Sequence, residues 1–242
     1  MRKFALAVFS LSVCTALLPS LSFGQGSFGI GLSASSLGAG IQAAVSVTKY
    51  SNIRGGFNDF SYSDNFSKDG ISYAGTLNLR SGQVTYDQYF KHAGGFHISP
   101  GALIYNGNAG NATANVPAGQ TFTLGGTTYY SSSANPVSGT GTIAFGKASP
   151  MILVGVGNLL PRSQRHFGVS FEAGVVFEGS PNAKLSLAGS SCLVSATVGC
   201  VNTATDPTVQ SNLQSEQTKI NNDLSPFKYY PIVSLVFSYK IK

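Results

Sequence analysis

Charge is scarce in this chain: Asp, Glu, Lys and Arg together make up 10% of its 242 residues. Long apolar runs are missing too. Beyond residue 24 the best run is MILVGV at 151–156, far short of the ~18 consecutive apolar residues that a spanning helix needs. Yet 43% of the residues are hydrophobic, so apolar side chains are dispersed along the chain. If this chain crosses a membrane, it does so as strands. Lys and Arg form no run, which removes the basis for nucleic-acid binding despite a formal charge of +6. Three histidines and three cysteines do not approach the spacing of a metal site, and no metal or cofactor is expected.

The N-terminus is MRKFALAVFSLSVCTALLPSLSFGQG. Two basic residues, an apolar stretch, a Pro19 break and small residues at Ser22 and Gly24 form a secretory signal cleaved after Gly24. Residues 1–24 are therefore set aside, and 25–242 are read as one domain. A lipoprotein signal around Cys14 is disfavoured because Val13 is too large for the position before a lipidated cysteine. Once Cys14 leaves with the signal, Cys192 and Cys200 remain as an even pair in an exported, oxidising compartment, where a disulfide is expected.

The stretch 166–178, HFGVSFEAGVVFE, alternates almost without a break. Phe167, Val169, Phe171, Ala173, Val175 and Phe177 share one strand face, and Gly168, Ser170, Glu172, Gly174 and Glu178 share the other. The first face needs an apolar surrounding. The second carries two carboxylates that an ordinary dry core would not accept, so the strand reads as a wall between lipid and a polar interior.

The same period recurs along the chain, punctuated by turns. Eight strands are expected, at 27–34, 37–48, 53–62, 71–90, 95–106, 140–156, 166–178 and 229–241. To keep the apolar residues in phase, the third requires a bulge near Asn58-Asp59 and the fourth one at Ser81-Gly82. The sixth is interrupted near Pro150. Polar loops are expected at 63–70, 106–138 and 190–225, the second with a small hairpin, TFTLGGTTYY. In the third, Asp206 as N-cap and Pro207 after it open one short helix ending at Leu224.

The connections sort by length and charge. Those at 49–52, 91–94 and 159–165 are short and basic, and the long polar ones all fall at the other end. Lys49, Lys91, Arg162, Arg165, Lys240 and Lys242 therefore gather at one end. The fold class expected is all-β: an eight-stranded antiparallel transmembrane β-barrel with short periplasmic turns, long extracellular loops and one short loop helix.

Several segments carry a family likeness: GFNDFSYS (56–63), Gly70 to Tyr73, LNLRS (77–81), GALIYNGN (101–108), SPMILVGVGN (149–158), FEAGVVFEGSP (171–181) and KYYPIVSLVFSYKI (228–241). Across nearly all of the mature chain the sequence resembles the small OmpA/OmpW-like outer-membrane β-barrels of Gram-negative bacteria. The resemblance implies the fold and an integral outer-membrane location, and says little about activity.

On this register Arg54, Arg80, Gln83, Asp87, Glu172 and Glu178 face the interior as a polar network, with Arg80 and Glu172 at mid-height. Such charges are tolerated only when paired; the network reads either as a structural plug or as a gate. His97 and Ser99 share a face, but no third residue is placed to orient them, and His92 and His166 lie at the rim, so catalysis is not expected. The glycines of GIGLSASSLGAG let a tight barrel close and are not a phosphate loop. The function expected is a structural or surface-interaction role through the extracellular loops, with a narrow channel or transporter for small apolar molecules as the alternative. The expected partners are outer-membrane lipid together with extracellular surfaces or small apolar ligands, the protein itself being a monomer.

Overall fold

Period-2 alternation with turns between the segments leaves the backbone one economical choice, an antiparallel sheet whose two faces meet different surroundings. The structure, a computed structural model, describes residues 26–162 and 165–241. The signal segment with Cys14, and Lys242, lie outside them. The strands are β1 (Phe28–Ser35), β2 (Gly38–Thr48), β3 (Ser51–Lys68), β4 (Ile71–Tyr89), β5 (His97–Asn106), β6 (Ala109–Asn115), β7 (Thr121–Leu124), β8 (Thr127–Ser131), β9 (Ser138–Ala144), β10 (Ser149–Gly157), β11 (Phe167–Phe177), β12 (Asn182–Ala188), β13 (Ser190–Ser195) and β14 (Val198–Asn202). Helix α1 (Pro207–Leu224) then leads through a short 3-10 turn to β15 (Tyr229–Lys240).

Eight of these strands close a ring in the order β1-β2-β3-β4-β5-β10-β11-β15, every neighbour antiparallel, with β15 pairing back onto β1. Their faces divide as the alternation requires. On β11, Phe167, Val169, Phe171 and Phe177 are exposed while Ser170, Glu172 and Val176 are buried. Val176, the one residue that breaks the alternation of residue types, fills the interior with Leu37, Leu103, Met151, Leu153 and Ile232 at the loop end of the ring. Alternation along the second expected strand would set Leu37 outward with Ile41 and Val45, but it lies in the turn between β1 and β2 and is buried in this cluster. A smaller cluster of Ala44, Leu159, Leu160 and Val236 closes the turn end.

Neither expected bulge exists between β3 and β4, whose pairing runs unbroken from Ser51↔Gln88 to Lys68↔Ile71. The apparent slip in β3 has a different cause. From Asp59 onward both faces of the strand are exposed, because β3 and β4 rise above the ring as a ribbon and no longer have an inside. Residues 63–70, expected as a loop, complete this ribbon. Asp69 and Gly70 turn it with φ of 53° and 78°, the type I′ geometry that an Asp-Gly pair favours. Register shifts in the ring lie elsewhere: in β5, where Ile104 is extra opposite Gly82 and Gln83, and in β2 between Ser46 and Thr48.

The expected sixth strand is two. Only β10 joins the ring; β9 pairs with β6 and β12, extending the sheet outward from upper β4. The expected hairpin is present as β7 and β8, and Cys192 is bonded to Cys200 across β13 and β14. Asp206 caps α1 by accepting from the Thr208 and Val209 amides at 3.0 and 2.9 Å. Val209 and Leu213 then pack with Leu124 and Tyr129, and a second cluster of Ile71, Val116 and Val137 completes a headpiece core.

Sheet edges attract other chains unless they are covered. On the outer edge of β12, the Ala183 amide donates to Asn221 Oδ1 at 2.7 Å and the Leu185 amide to Gln217 Oε1 at 3.0 Å. These residues stand one helical turn apart on α1, so the helix supplies the partner strand that β12 lacks. Replacing both (Gln217→Ala with Asn221→Ala) should cost about 2 kcal/mol of headpiece stability. It should also raise the rate of proteolysis at 180–190, leaving the ring resistant; unchanged cleavage in a time course would refute the edge-cap role.

Candidate functional site

The interior of the ring at the turn end holds most of the molecule's buried charge. Arg54 on β3 is 1% exposed, and its guanidinium makes four bonds. Nη2 meets Asp87 Oδ1 at 2.9 Å, Nη1 meets Glu172 Oε1 at 2.7 Å and Gln42 Oε1 at 3.2 Å, and Nε donates to Thr85 Oγ1 at 3.1 Å. Thr85 in turn donates to Asp87 Oδ1 at 3.0 Å. β3 and β11 are diametrically opposed in the ring, so the Arg54–Glu172 contact spans the lumen.

His97, fully buried at the start of β5, completes the group. Its Nε2 lies 3.0 Å from Glu172 Oε1 and its Nδ1 3.0 Å from the Gly95 carbonyl. Both ring nitrogens face acceptors, the arrangement in which an imidazolium uses both of its donors. In its protonated form His97 would bring the charges of Arg54, Asp87 and Glu172 to zero. The contact has to pass β10, and it does so at Gly155. A Cβ there would stand 2.7 Å from His97 Nε2 and 2.8 Å from Glu172 Cγ. Tyr89 packs against His97 with ring centres 4.8 Å apart and the ring planes tilted by 40°.

Of the residues expected to form the network, Arg54, Asp87 and Glu172 meet directly. Gln83 is buried in the lumen beside Gln42, both side chains lying over Gly56. Glu178 is a separate case. It lies past the end of β11 at the loop end, where Asn106 donates to it at 3.1 Å. Burial holds its carboxyl above the usual range, and the Asn106 bond offsets only part of that.

Arg80 corrects the expectation. The unbroken register of β4 puts it on the outward face with Val84 and Tyr86, and only the absent bulge at Ser81-Gly82 would have turned it inward. It pairs instead with Asp59, directly opposite on β3, at 2.7 Å, and both side chains are about half exposed. His97 is the member that the expected network omitted. The signal was present, since it shares a strand face with the buried Ser99; the partner across β10 could not be seen without the strand order.

The layers in the lumen therefore read apolar, charged, apolar from the turn end to the loop end. Among the described residues no group of three or more His, Cys, Asp or Glu side chains is placed to hold a metal ion.

The fold is similar to two solved structures. CarO of Acinetobacter baumannii superposes with a TM-score of 0.54 at 20% identity, over 88% of this chain and 96% of that one. CarO2 of the same organism gives 0.55 at 21% identity, over 88% and 98%. At this identity the likeness is one of fold, and it supports a β-barrel architecture of the outer-membrane type. No protein-family model and no curated protein matches the chain.

Removing one member of a buried ionic group strands the others, at about 3–5 kcal/mol, whereas a half-exposed pair contributes below about 1 kcal/mol. Arg54→Met should therefore lower stability by about 3–5 kcal/mol and Arg80→Met by less than about 1 kcal/mol, measured by urea unfolding in lipid vesicles. Equal losses at the two sites would contradict the lumen assignment.

Proposed function

We propose that this chain is an integral outer-membrane β-barrel whose role is structural or surface-interacting, exercised through its headpiece. The ring carries an unbroken outward apolar surface on strands β1, β2, β10, β11 and β15, including Ile30, Leu32, Ile41, Val154, Val169, Phe171 and Phe237, all exposed. A continuous apolar surface of this extent marks contact with lipid. Aromatic residues gather at its two borders, with Tyr50, Phe90, Phe96, Phe167 and Tyr239 at the turn end and Phe177 and Tyr229 at the loop end, as an interfacial girdle would require. Such a barrel belongs beside the small OmpA/OmpW-like proteins in size and strand number. Short basic turns then face the periplasm, and the headpiece faces outward.

The filled lumen is the observation that carries the role. Two apolar clusters and a four-residue ionic group occupy it from end to end, whereas the loop end is built up into a second folded layer with its own core, a disulfide and a helix. Investment in the headpiece supports recognition there, of an extracellular surface, over passage of a small apolar solute through the ring.

Two measurements test this together. Cysteine introduced at Thr197, on the tip of the β13–β14 hairpin, should react with a membrane-impermeant maleimide on intact cells, and cysteine introduced at His92 should react only after the outer membrane is opened. In planar bilayers the folded protein should show no resolved conductance steps. Reaction at His92 on intact cells would overturn the orientation, and reproducible conductance would move the function to transport.

A further inference from the structure

Above the ring, β3, β4, β6, β9 and β12 form one antiparallel sheet whose two faces differ. Directly paired residues share a face. The registers therefore place alternate positions 61–67 of β3, 72–78 of β4, 109–115 of β6, 138–144 of β9 and 182–188 of β12 side by side. The opposite face carries Tyr73, Ala114 and Leu187 onto the headpiece core. On the first face every position is exposed or half-exposed. Its composition is narrow, each position being Ser, Thr, Asn or Ala except Lys184. A soluble surface is usually given charge at roughly 25–35% of its positions, and the headpiece has charges to place. Asp64 and Lys68 lie on the other face of β3, and Glu216, Lys219 and Asp223 lie on α1.

What remains is a grid of hydroxyl and amide groups, each able to donate and to accept. On β3 and β4 some of them close on one another: Ser61 Oγ donates to Asn78 Oδ1 at 2.8 Å, and the Ser63 and Thr76 hydroxyls stand 3.1 Å apart. On the other three strands they stay open. Among the described residues Asn111, Thr113, Thr140, Thr142 and Ser186 make no side-chain hydrogen bond. Strands stand ~4.8 Å apart, so a row across five of them presents such groups over roughly 19 Å. A concavity of about 320 Å³ is lined by Asn65, Ser67, Ser72 and Asn115 of this face together with Phe66 and Tyr73. Because β3 and β4 pair without a break, the same face continues downward through the Asp59–Arg80 pair to Phe57, Val84 and Ile53, all exposed on the outer wall of the ring. On the membrane reading the grid thus stands directly above the lipid, at the level where sugars linked to outer-leaflet lipid begin.

We propose that this face binds a neutral carbohydrate chain. A charged ligand would need opposite charges on the surface, and Lys184 is the one charge on the grid. A protein partner would need aromatic or other large side chains at the centre of its contact, and the grid has none. Sugars, which present hydroxyl groups on every side, match a surface where most side chains both donate and accept. The occupant is a chain of uncharged sugars, carried either by lipid of the same leaflet or by a polymer from outside. This inference rests on the reading of the headpiece as the recognition layer and deepens it, because it names the face and the chemistry that it recognises.

The test is affinity electrophoresis of the full mature chain, folded in neutral detergent, through native gels that contain a polysaccharide, read against gels without one. Mannan, or the neutral polysaccharide released from lipopolysaccharide by mild acid, is expected to retard the protein, whereas alginate, a polyuronate, is not. The double variant Thr113→Glu, Ser186→Glu sets a carboxylate on either side of Thr140 in one row and should weaken the retardation about tenfold. Ser211→Glu, on the exposed side of α1, should leave it unchanged. All three positions are exposed, and a gel shift on heating verifies that each variant remains folded. Retardation by mannan alone would support the proposal with a polymer from outside as the source, and retardation by the released polysaccharide alone would support it with the leaflet as the source. No retardation by either neutral polymer, equal retardation by alginate, or an unaffected double variant would overturn it. Failure of the wild-type chain to insert into vesicles would overturn the membrane reading itself, whereas insertion without retardation would overturn this inference alone.

Discussion

Arg54 and Glu172 stand on opposite strands of a closed ring and meet at 2.7 Å. A contact across the full width of a lumen fixes that width. Because Asp87, Thr85, Gln42 and His97 attach to the same two groups, strands β2, β3, β4, β5 and β11 are tied to one point. Buried charges of this kind are costly to desolvate and return that cost only with near-ideal geometry. The glycine at 155 follows from this requirement. Any side chain there would push His97 off Glu172 and leave Glu172 without that partner, so the ionic core dictates sequence on a strand that contributes no charge to it.

The ring and the headpiece solve the edge problem differently. A closed sheet has no edges, so the eight strands need no further protection within the ring. Above the ring, β6, β9 and β12 fan out from the ribbon of β3 and β4 and finish on an open edge, where α1 supplies Gln217 and Asn221 as acceptors for the backbone of β12. The helix is weakly apolar and buries only Val209 and Leu213 in full. Its position is accordingly set as much by these edge bonds and by the Asn212–Tyr129 bond at 2.7 Å as by hydrophobic contact.

Much of this architecture could be read from alternation alone, because a strand between lipid and a polar interior must show its two surroundings in its sequence. The outward faces of β1, β11 and β15, the capped start of α1 and the cysteine pair were legible for that reason. Where a strand leaves the ring both surroundings become water, and the pattern loses its meaning. Phe60, Tyr62, Leu77 and Leu79 then look like a phase slip, and the bulges invoked to repair it carried Arg80 to the wrong face. Strand order was the other missing quantity. Nothing local to His97 names Glu172, 75 residues away, as its partner; only the sequence of strands β5, β10 and β11 brings them together.

These constraints also locate where such a molecule is free to acquire specificity. On the membrane reading proposed above the outer wall must remain apolar, and the lumen of so small a ring is filled by side chains that close on one another. Changes in either surface are charged against folding before they can alter recognition. The headpiece and the turn-end rim escape both demands, since each meets water on one side. The distribution of charge agrees: the loop end mixes Lys68, Lys184 and Lys219 with Asp64, Asp206 and Glu216, a balanced surface, while the connections 49–50, 90–96 and 158–166 contain basic residues and no acidic ones. Between the two ends lies a core whose ionic group and flanking apolar clusters close on one another.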